Sequence, residues 1–134
     1  MDLHSAIKLV ADKFRYKADD NILLDGWSIM KDRSGEYIGD CEDFSLTVFW
    51  HMSDQKLFKF LFNLMILHRY KLIWCKTFTG ELHFVGKFDD LYFDNWTKKA
   101  LTEDQFFSVT AHRKIMTMFM PVCVFQLLKG LVKR

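Results

Sequence analysis

The sequence predicts an α+β fold in which helices come first along the chain and a small antiparallel sheet follows. Up to about residue 69, apolar residues recur mainly at helical spacing, whereas aromatic and β-branched residues dominate after it. Short Gly or Asp turns separate the later segments. The 134 residues, half of them hydrophobic, suffice for a buried core without disulfides or metal. We therefore expect residues 1–134 to form a single domain.

The first predicted helix runs from Ser5 to about Tyr16, and Ser5 can cap its first turn. Residues 17–40 contain Gly and Asp clusters without a sustained period, so irregular structure is expected there. A further apolar helix is expected over residues 54–69, with Asp54 near its start.

A helix is also predicted to begin at Cys41, within the stretch "YIGDCEDFSL". Asp40 occupies the N-cap position, and Asp43 follows three residues later, as in a capping box. One face of this helix carries three apolar residues at a spacing of four, namely Phe44, Val48 and Met52.

Three strands are predicted at residues 70–78, 81–88 and 91–95. The first two flank a Thr79-Gly80 turn, and the last two flank Asp89-Asp90. Such short connections predict a three-stranded antiparallel meander.

The remainder of the chain offers one further helix and one apolar segment. A short helix is expected at residues 102–109, with Thr102 as its cap. Residues 115–132 are mostly apolar, but Pro121 and Lys129 interrupt them. Because a membrane span needs about 20 apolar residues, we favour a buried strand or turn followed by a helix over membrane contact.

Composition excludes some classes of function. The net charge of +2, without a basic stripe between aromatics, argues against nucleic-acid binding. Cys41, Cys75 and Cys123 are too far apart for a CxxC pair and give no disulfide framework, and we expect Cys75 and Cys123 in the core. The N-terminus lacks the features of a secretory signal, so a cytoplasmic location is expected.

Cys41 is the candidate nucleophile, although Asp40, Glu42 and Asp43 surround it with negative charge. Carboxylates raise the pKa of a thiol, whereas free N–H groups at a helix start stabilise the thiolate and offset that effect. The simpler alternative for Cys41 is a buried structural thiol. The simpler alternative for the acids is a plain acidic helix start without metal.

A cysteine nucleophile needs a base, and His83 is the best placed of the five histidines. It lies within a predicted strand, and pairing about the Asp89-Asp90 turn brings it opposite or diagonal to residues 94–96. Asp94 could therefore reach its imidazole. The alternatives are a core histidine at position 83 and a turn cap at Asp94, while the other four histidines show no metal spacing.

These residues resemble a known family, the bacterial transglutaminase-like cysteine proteases. The shared pattern comprises Asp25 with Trp27, the block Gly-Asp-Cys-Glu-Asp with its aromatic at residues 39–44, His83, and the pair at residues 94–95. It covers a little over a third of the chain. Against the pattern, the interval from His83 to the Asp-Asn pair is short, and no export signal is visible.

The resemblance implies a papain-like fold and a Cys41–His83–Asp94 triad acting on a peptide or amide bond of a protein or peptide substrate. It also implies Trp27 and Asn95 at the substrate cleft, with a core position for Trp27 as an equal alternative. The alternative to a hydrolase is an inactive binding or regulatory module of the same fold.

The resemblance also implies a calcium site. In calcium-dependent members, acids beside the catalytic cysteine bind the ion, and Asp40, Glu42 and Asp43 match those positions. Calcium prefers oxygen ligands and would neutralise the charge that opposes a thiolate. The chemistry itself requires no cofactor.

Overall fold

A computed structural model of the protein describes residues 1–17, 29–32 and 34–117. These residues form helices and an antiparallel sheet, so the predicted α+β class is confirmed. Asp25, Trp27 and Cys123 lie outside the described residues, as does the predicted apolar segment after residue 117.

The elements follow one another in the expected order of helices before the main sheet. The helices are α1 (Leu3–Lys13), α2 (Cys41–Met52), α3 (Leu57–Leu61), which continues into a π-helical turn (Phe62–Ile66), and α4 (Glu103–Thr110). The strands are β1 (Phe14–Tyr16), β2 (Tyr37–Gly39), β3 (Tyr70–Lys76), β4 (Leu82–Phe88), β5 (Leu91–Phe93), β6 (Leu101–Thr102) and β7 (Arg113–Thr117).

Within the described ranges, the main sheet has five antiparallel strands in the order β6-β5-β4-β3-β7. The predicted meander of β3, β4 and β5 is confirmed. Gly80 takes a φ of 88° in the first turn, and Asp89 takes 51° in the second. Such left-handed conformations suit Gly, and Asp adopts them more readily than most residues.

The stretch predicted to be irregular contributes a strand that leads directly to Cys41. Strand β2 pairs in parallel with β1, so that Tyr16 lies beside Gly39, and the amide of Lys17 donates to the carbonyl of Gly39 at 2.8 Å. A Cβ at Gly39 would lie 2.8 Å from Oδ2 of Asp43, so only glycine fits here. The pairing fixes the backbone that enters α2.

Two helix starts differ from prediction. Helix α1 is capped by Asp2, whose Oδ1 accepts from the amide of Ser5 at 2.7 Å, so Ser5 is not the cap. The helix expected over residues 54–69 begins only at Leu57. Asp54 has a left-handed φ of 54° and binds the terminal ammonium and Lys59 instead of capping.

The C-terminal part of the described chain is partly as predicted. Helix α4 is capped by Thr102 as expected, with Gln105 completing a capping box. Residues 115–117 belong to a strand, but β7 is exposed, so the expectation of a buried strand is wrong for these residues. None of the described helices is long and apolar enough to span a membrane.

Two hydrophobic clusters cover the two faces of the sheet. Helix α2 packs on one face and α1 packs against α2, and the cluster there includes Phe44, Phe49, Leu72, Phe84 and Phe93. Helix α4 covers the other face, where the cluster contains Ile73, Cys75, Val85, Tyr92 and Phe106. Because side chains alternate along a strand, Phe84 faces α2 whereas His83 and Val85 face α4. This alternation decides how His83 lies relative to Cys41.

Candidate active site

Cys41 is the first residue of α2, as predicted. Asp40 is the N-cap, and the reciprocal hydrogen bonds between Asp40 and Asp43, each 3.5 Å long, form the expected capping box. The cap satisfies one of the free amides of the first turn and fixes the direction in which the helix leaves β2.

The sulfur of Cys41 contacts both its own helix and the sheet. Its thiol donates to Oε2 of Glu42 at 3.2 Å, and it accepts from the backbone amide of Phe84 at 3.4 Å. In the described chain, β5 pairs with β4 only from Gly86 to Phe88, so β5 does not extend beside Phe84. The sulfur thus lies at the edge of β4, next to the residue that follows His83.

The environment keeps Cys41 protonated. Burial raises the pKa of the thiol well above its usual value, and the charges of Glu42 and Asp40 raise it further. The amide of Phe84 acts in the opposite direction but is outweighed. The expectation that the helix start offsets the carboxylates is therefore wrong for the site in this state. Activation needs either removal of that negative charge or a base.

His83 and Asp94 are joined as predicted. Nε2 of His83 lies 2.8 Å from Oδ2 of Asp94, and both side chains are buried. The other carboxylate oxygen accepts from the amides of Trp96 and Thr97 at 3.1 and 2.7 Å, and from the Thr97 hydroxyl at 2.9 Å. Asp94 is thus both a turn cap and the partner of His83.

The carboxyl group of Asp94 is ionised at neutral pH. Its burial alone would raise the pKa of Asp94, but hydrogen bonds from His112, His83 and Thr97 outweigh burial and hold that pKa far below the usual value. An ionised carboxylate can only accept, so Nε2–H of His83 is the donor of this hydrogen bond. Nδ1 of His83 then carries the lone pair, and it has no hydrogen bond to any described residue.

His112 is a member of this cluster that the sequence did not reveal. Its Nε2 lies 3.2 Å from the same Oδ2 of Asp94, while its buried Nδ1 has no partner in the described part of the protein. Ala111, immediately before it, has a left-handed φ of 57°. An orphaned buried group costs about 1–3 kcal/mol, and left-handed alanine costs roughly 1–2 kcal/mol. Ala111 is the C-cap of α4, where its amide donates to the carbonyl of Phe107, so its left-handed conformation ends the helix just before His112.

Trp96 covers the cluster from the solvent side. Its ring centroid lies 5.0 Å from those of both His83 and His112, yet 48% of the residue is exposed. The indole therefore shields the hydrogen bond between His83 and Asp94 from water, which strengthens it.

The described residues bring Cys41 and His83 to adjacent positions without joining them. Within these residues, Cys41 Sγ makes no hydrogen bond to His83, since it contacts Glu42 and the Phe84 amide instead. The thiol must leave Glu42 and reach Nδ1 of His83 before the imidazole can act on it.

The acids around Cys41 converge as a group. Asp40, Glu42 and Asp43 are buried, and each offers a ligand oxygen within 4.8 Å of the others. Such a set of hard oxygens fits Ca²⁺, which accepts carboxylates in flexible geometry. The ligand atoms of His83, Asp94 and His112 are equally close together, but here the imidazoles already point at the carboxylate.

A groove of about 370 Å³ lies next to Asn95 and Trp96, the two residues that follow Asp94. It is lined by Phe14, Tyr16, Glu81, Asn95, Trp96 and Lys98. Asn95 therefore lines a groove, and its expected position at a substrate cleft stays a prediction. A volume of this size lies within the usual range of ligand-binding pockets.

No model of a known protein family matches the sequence, and no curated protein matches it.

Proposed function

We propose that the protein is a cysteine hydrolase that cleaves a peptide or amide bond with Cys41, His83 and Asp94. The observation that carries this proposal is the 2.8 Å hydrogen bond between Asp94 and Nε2 of His83. With Nε2 as donor, the lone pair of the His83 imidazole lies on Nδ1. The backbone amide of the next residue, Phe84, donates to the sulfur of Cys41. A helix-start cysteine on a sheet of this kind also supports a papain-like or transglutaminase-like architecture.

Each residue has one role in the proposed reaction. Nδ1 of His83 takes the thiol proton while the sulfur of Cys41 attacks the substrate carbonyl. The same proton then passes to the departing amine, which leaves a thioester on Cys41. Water hydrolyses the thioester with His83 as base, and Asp94 fixes the tautomer throughout. The backbone N–H of Cys41 donates to the oxyanion.

We further propose that calcium at Asp40, Glu42 and Asp43 switches the thiol on. Calcium would remove the charge that raises the pKa of Cys41 and would draw Glu42 away from the sulfur. With chelator present, Glu42→Gln should therefore raise the rate of Cys41 alkylation near neutral pH by about tenfold. Calcium should accelerate alkylation of the wild type and have a much smaller effect on the variant.

Glu103→Gln is the matched control for this calcium experiment, since Glu103 lies exposed in the first turn of α4. It should leave the calcium response unchanged. If calcium accelerates neither protein, or accelerates Glu42→Gln as much as the wild type, the acids are only a charged helix start.

The hydrolase itself is tested by trapping the thioester. An activated peptide ester should release its leaving group in a burst near one equivalent per chain, with the acyl group found on Cys41 by peptide mass spectrometry. Cys41→Ala should show no burst. If the wild type shows none with calcium present, or if Cys75 carries the acyl group, the proposal is wrong.

The second candidate function is a binding module of the same fold without turnover. It is favoured by the raised pKa of Cys41 and by the hydrogen bond of the thiol to Glu42. The absence of a burst in the presence of calcium would support this candidate.

A further inference from the structure

We infer that the groove beside Cys41 binds an aromatic or large aliphatic side chain of a peptide substrate, held between Tyr16 and Trp96. This inference rests on the proposed cysteine hydrolase and specifies which substrates it accepts. It arises from the position, chemistry and charge of the groove walls.

One wall of the groove belongs to the strand beside Cys41. Tyr16 pairs with Gly39, two residues before the cysteine, and 58% of it is exposed. Partial burial raises the pKa of Tyr16 most, and the carboxylates of Asp40, Glu42 and Glu81 raise it further. Tyr16 therefore lines the groove from the strand that pairs with the residues just before Cys41.

The other wall of the groove contains Trp96, whose ring contacts the proposed base His83. Trp96 lies 5.0 Å from His83 between ring centroids while about half of it remains exposed. Trp96 belongs to a turn in which its own amide, the Thr97 amide and the Thr97 hydroxyl all donate to Oδ1 of Asp94. The groove thus lies between Tyr16, whose strand pairs with the residues before Cys41, and Trp96, whose ring contacts His83.

Two large exposed rings facing one groove of about 370 Å³ favour an apolar occupant. Burying an aromatic or branched aliphatic side chain between them would remove apolar surface of both partners from water. Glu81 and Lys98 carry opposite charges and contribute no net charge to the groove lining. A charged Glu side chain would lose its hydration between the two rings, so an acidic side chain is disfavoured.

The test uses acetylated tripeptides that end in an acyloxymethyl ketone, which alkylates an activated cysteine. One of the two residues next to this group is varied among Phe, Leu, Gly and Glu. Labelling of Cys41 is followed by mass spectrometry with calcium present. At one of the two positions, Phe and Leu should label about tenfold faster than Gly, and Glu should be slowest.

Tyr16→Ala should lower the ratio of the Phe rate to the Gly rate to about threefold or less, because one of the two rings that would contact the substrate side chain is removed. Tyr16 is a surface residue, so folding should persist. Phe58→Ala is the matched control, since Phe58 is a 90% exposed aromatic on α3, beyond the other end of α2. It should leave the ratio unchanged.

The outcomes separate the two proposals. If His83→Ala labels as fast as the wild type, the hydrolase is wrong. If labelling depends on His83 but Phe and Gly react equally at both positions, the hydrolase stands and the groove inference is overturned. A preference for Phe that survives in Tyr16→Ala, or a fastest reaction with Glu, also overturns it.

Discussion

Replacing Asp94 by Asn should lower the free energy of unfolding by about 3 kcal/mol. The carboxylate accepts five hydrogen bonds, from His83, His112, Trp96 and twice from Thr97. The amide oxygen of an asparagine can replace Oδ1, which accepts from Trp96 and Thr97. Its NH₂ group would then replace Oδ2 and face the Nε2–H donors of His83 and His112. Both imidazoles would have to carry their proton on Nδ1 instead. Nδ1 of His112 would then be a buried donor without a partner in the described structure.

The same change should also abolish most of the thiol chemistry. With its proton on Nδ1, His83 presents a donor to Cys41 and cannot act as a base. We expect acylation of Cys41 to fall by about 10²–10⁴-fold. Asp90→Asn, at an exposed neighbour, should alter neither stability nor acylation measurably.

The stability difference should depend on pH in a defined direction. Because the pKa of Asp94 is lower in the folded protein than in the unfolded chain, its stabilisation is complete above about pH 4 and is lost as the pH falls further. Asparagine does not titrate. Chemical denaturation should therefore show a gap between wild type and variant that is constant at neutral pH and narrows in acid. A gap that widens in acid would contradict the assigned role.

Replacing His83 by Gln should lower the rate of Cys41 alkylation by iodoacetamide about 10²-fold near neutral pH with calcium present. The glutamine can still donate to Asp94, so the fold should persist, but it cannot take the thiol proton. His68→Gln is the control, because His68 is an exposed histidine that has no contact with Asp94 among the described hydrogen bonds. Equal rates for wild type and His83→Gln would mean that no base acts on the thiol.

Local signals in the sequence were enough for several features of the site. The capping box at Asp40 and Asp43 fixed the start of α2, and with it the position of Cys41. The two short turns fixed the register of the meander, which put His83 diagonal to Asp94 on one face. Each of these inferences used contacts between residues near one another in the chain.

Features that depend on distant contacts were not predictable in the same way. His112 reaches Asp94 because β7 returns to pair with β3, whereas nothing near residue 112 indicated a strand partner. Trp96 covers the cluster because its ring meets those of His83 and His112, which are distant from it in the chain. The raised pKa of Cys41 depends on burial, which short-range spacing does not determine.

The most direct test of the account is the alkylation rate of Cys41 and Cys75 in the wild-type protein from about pH 5 to about pH 9, with calcium and with chelator. Cys75 is an internal reference, because burial raises its pKa to about 12. With calcium, we expect Cys41 to react far faster than Cys75 already near pH 6, and we expect chelator to remove most of this advantage. If Cys41 reacts no faster than Cys75 under either condition, Cys41 and His83 do not form a working pair.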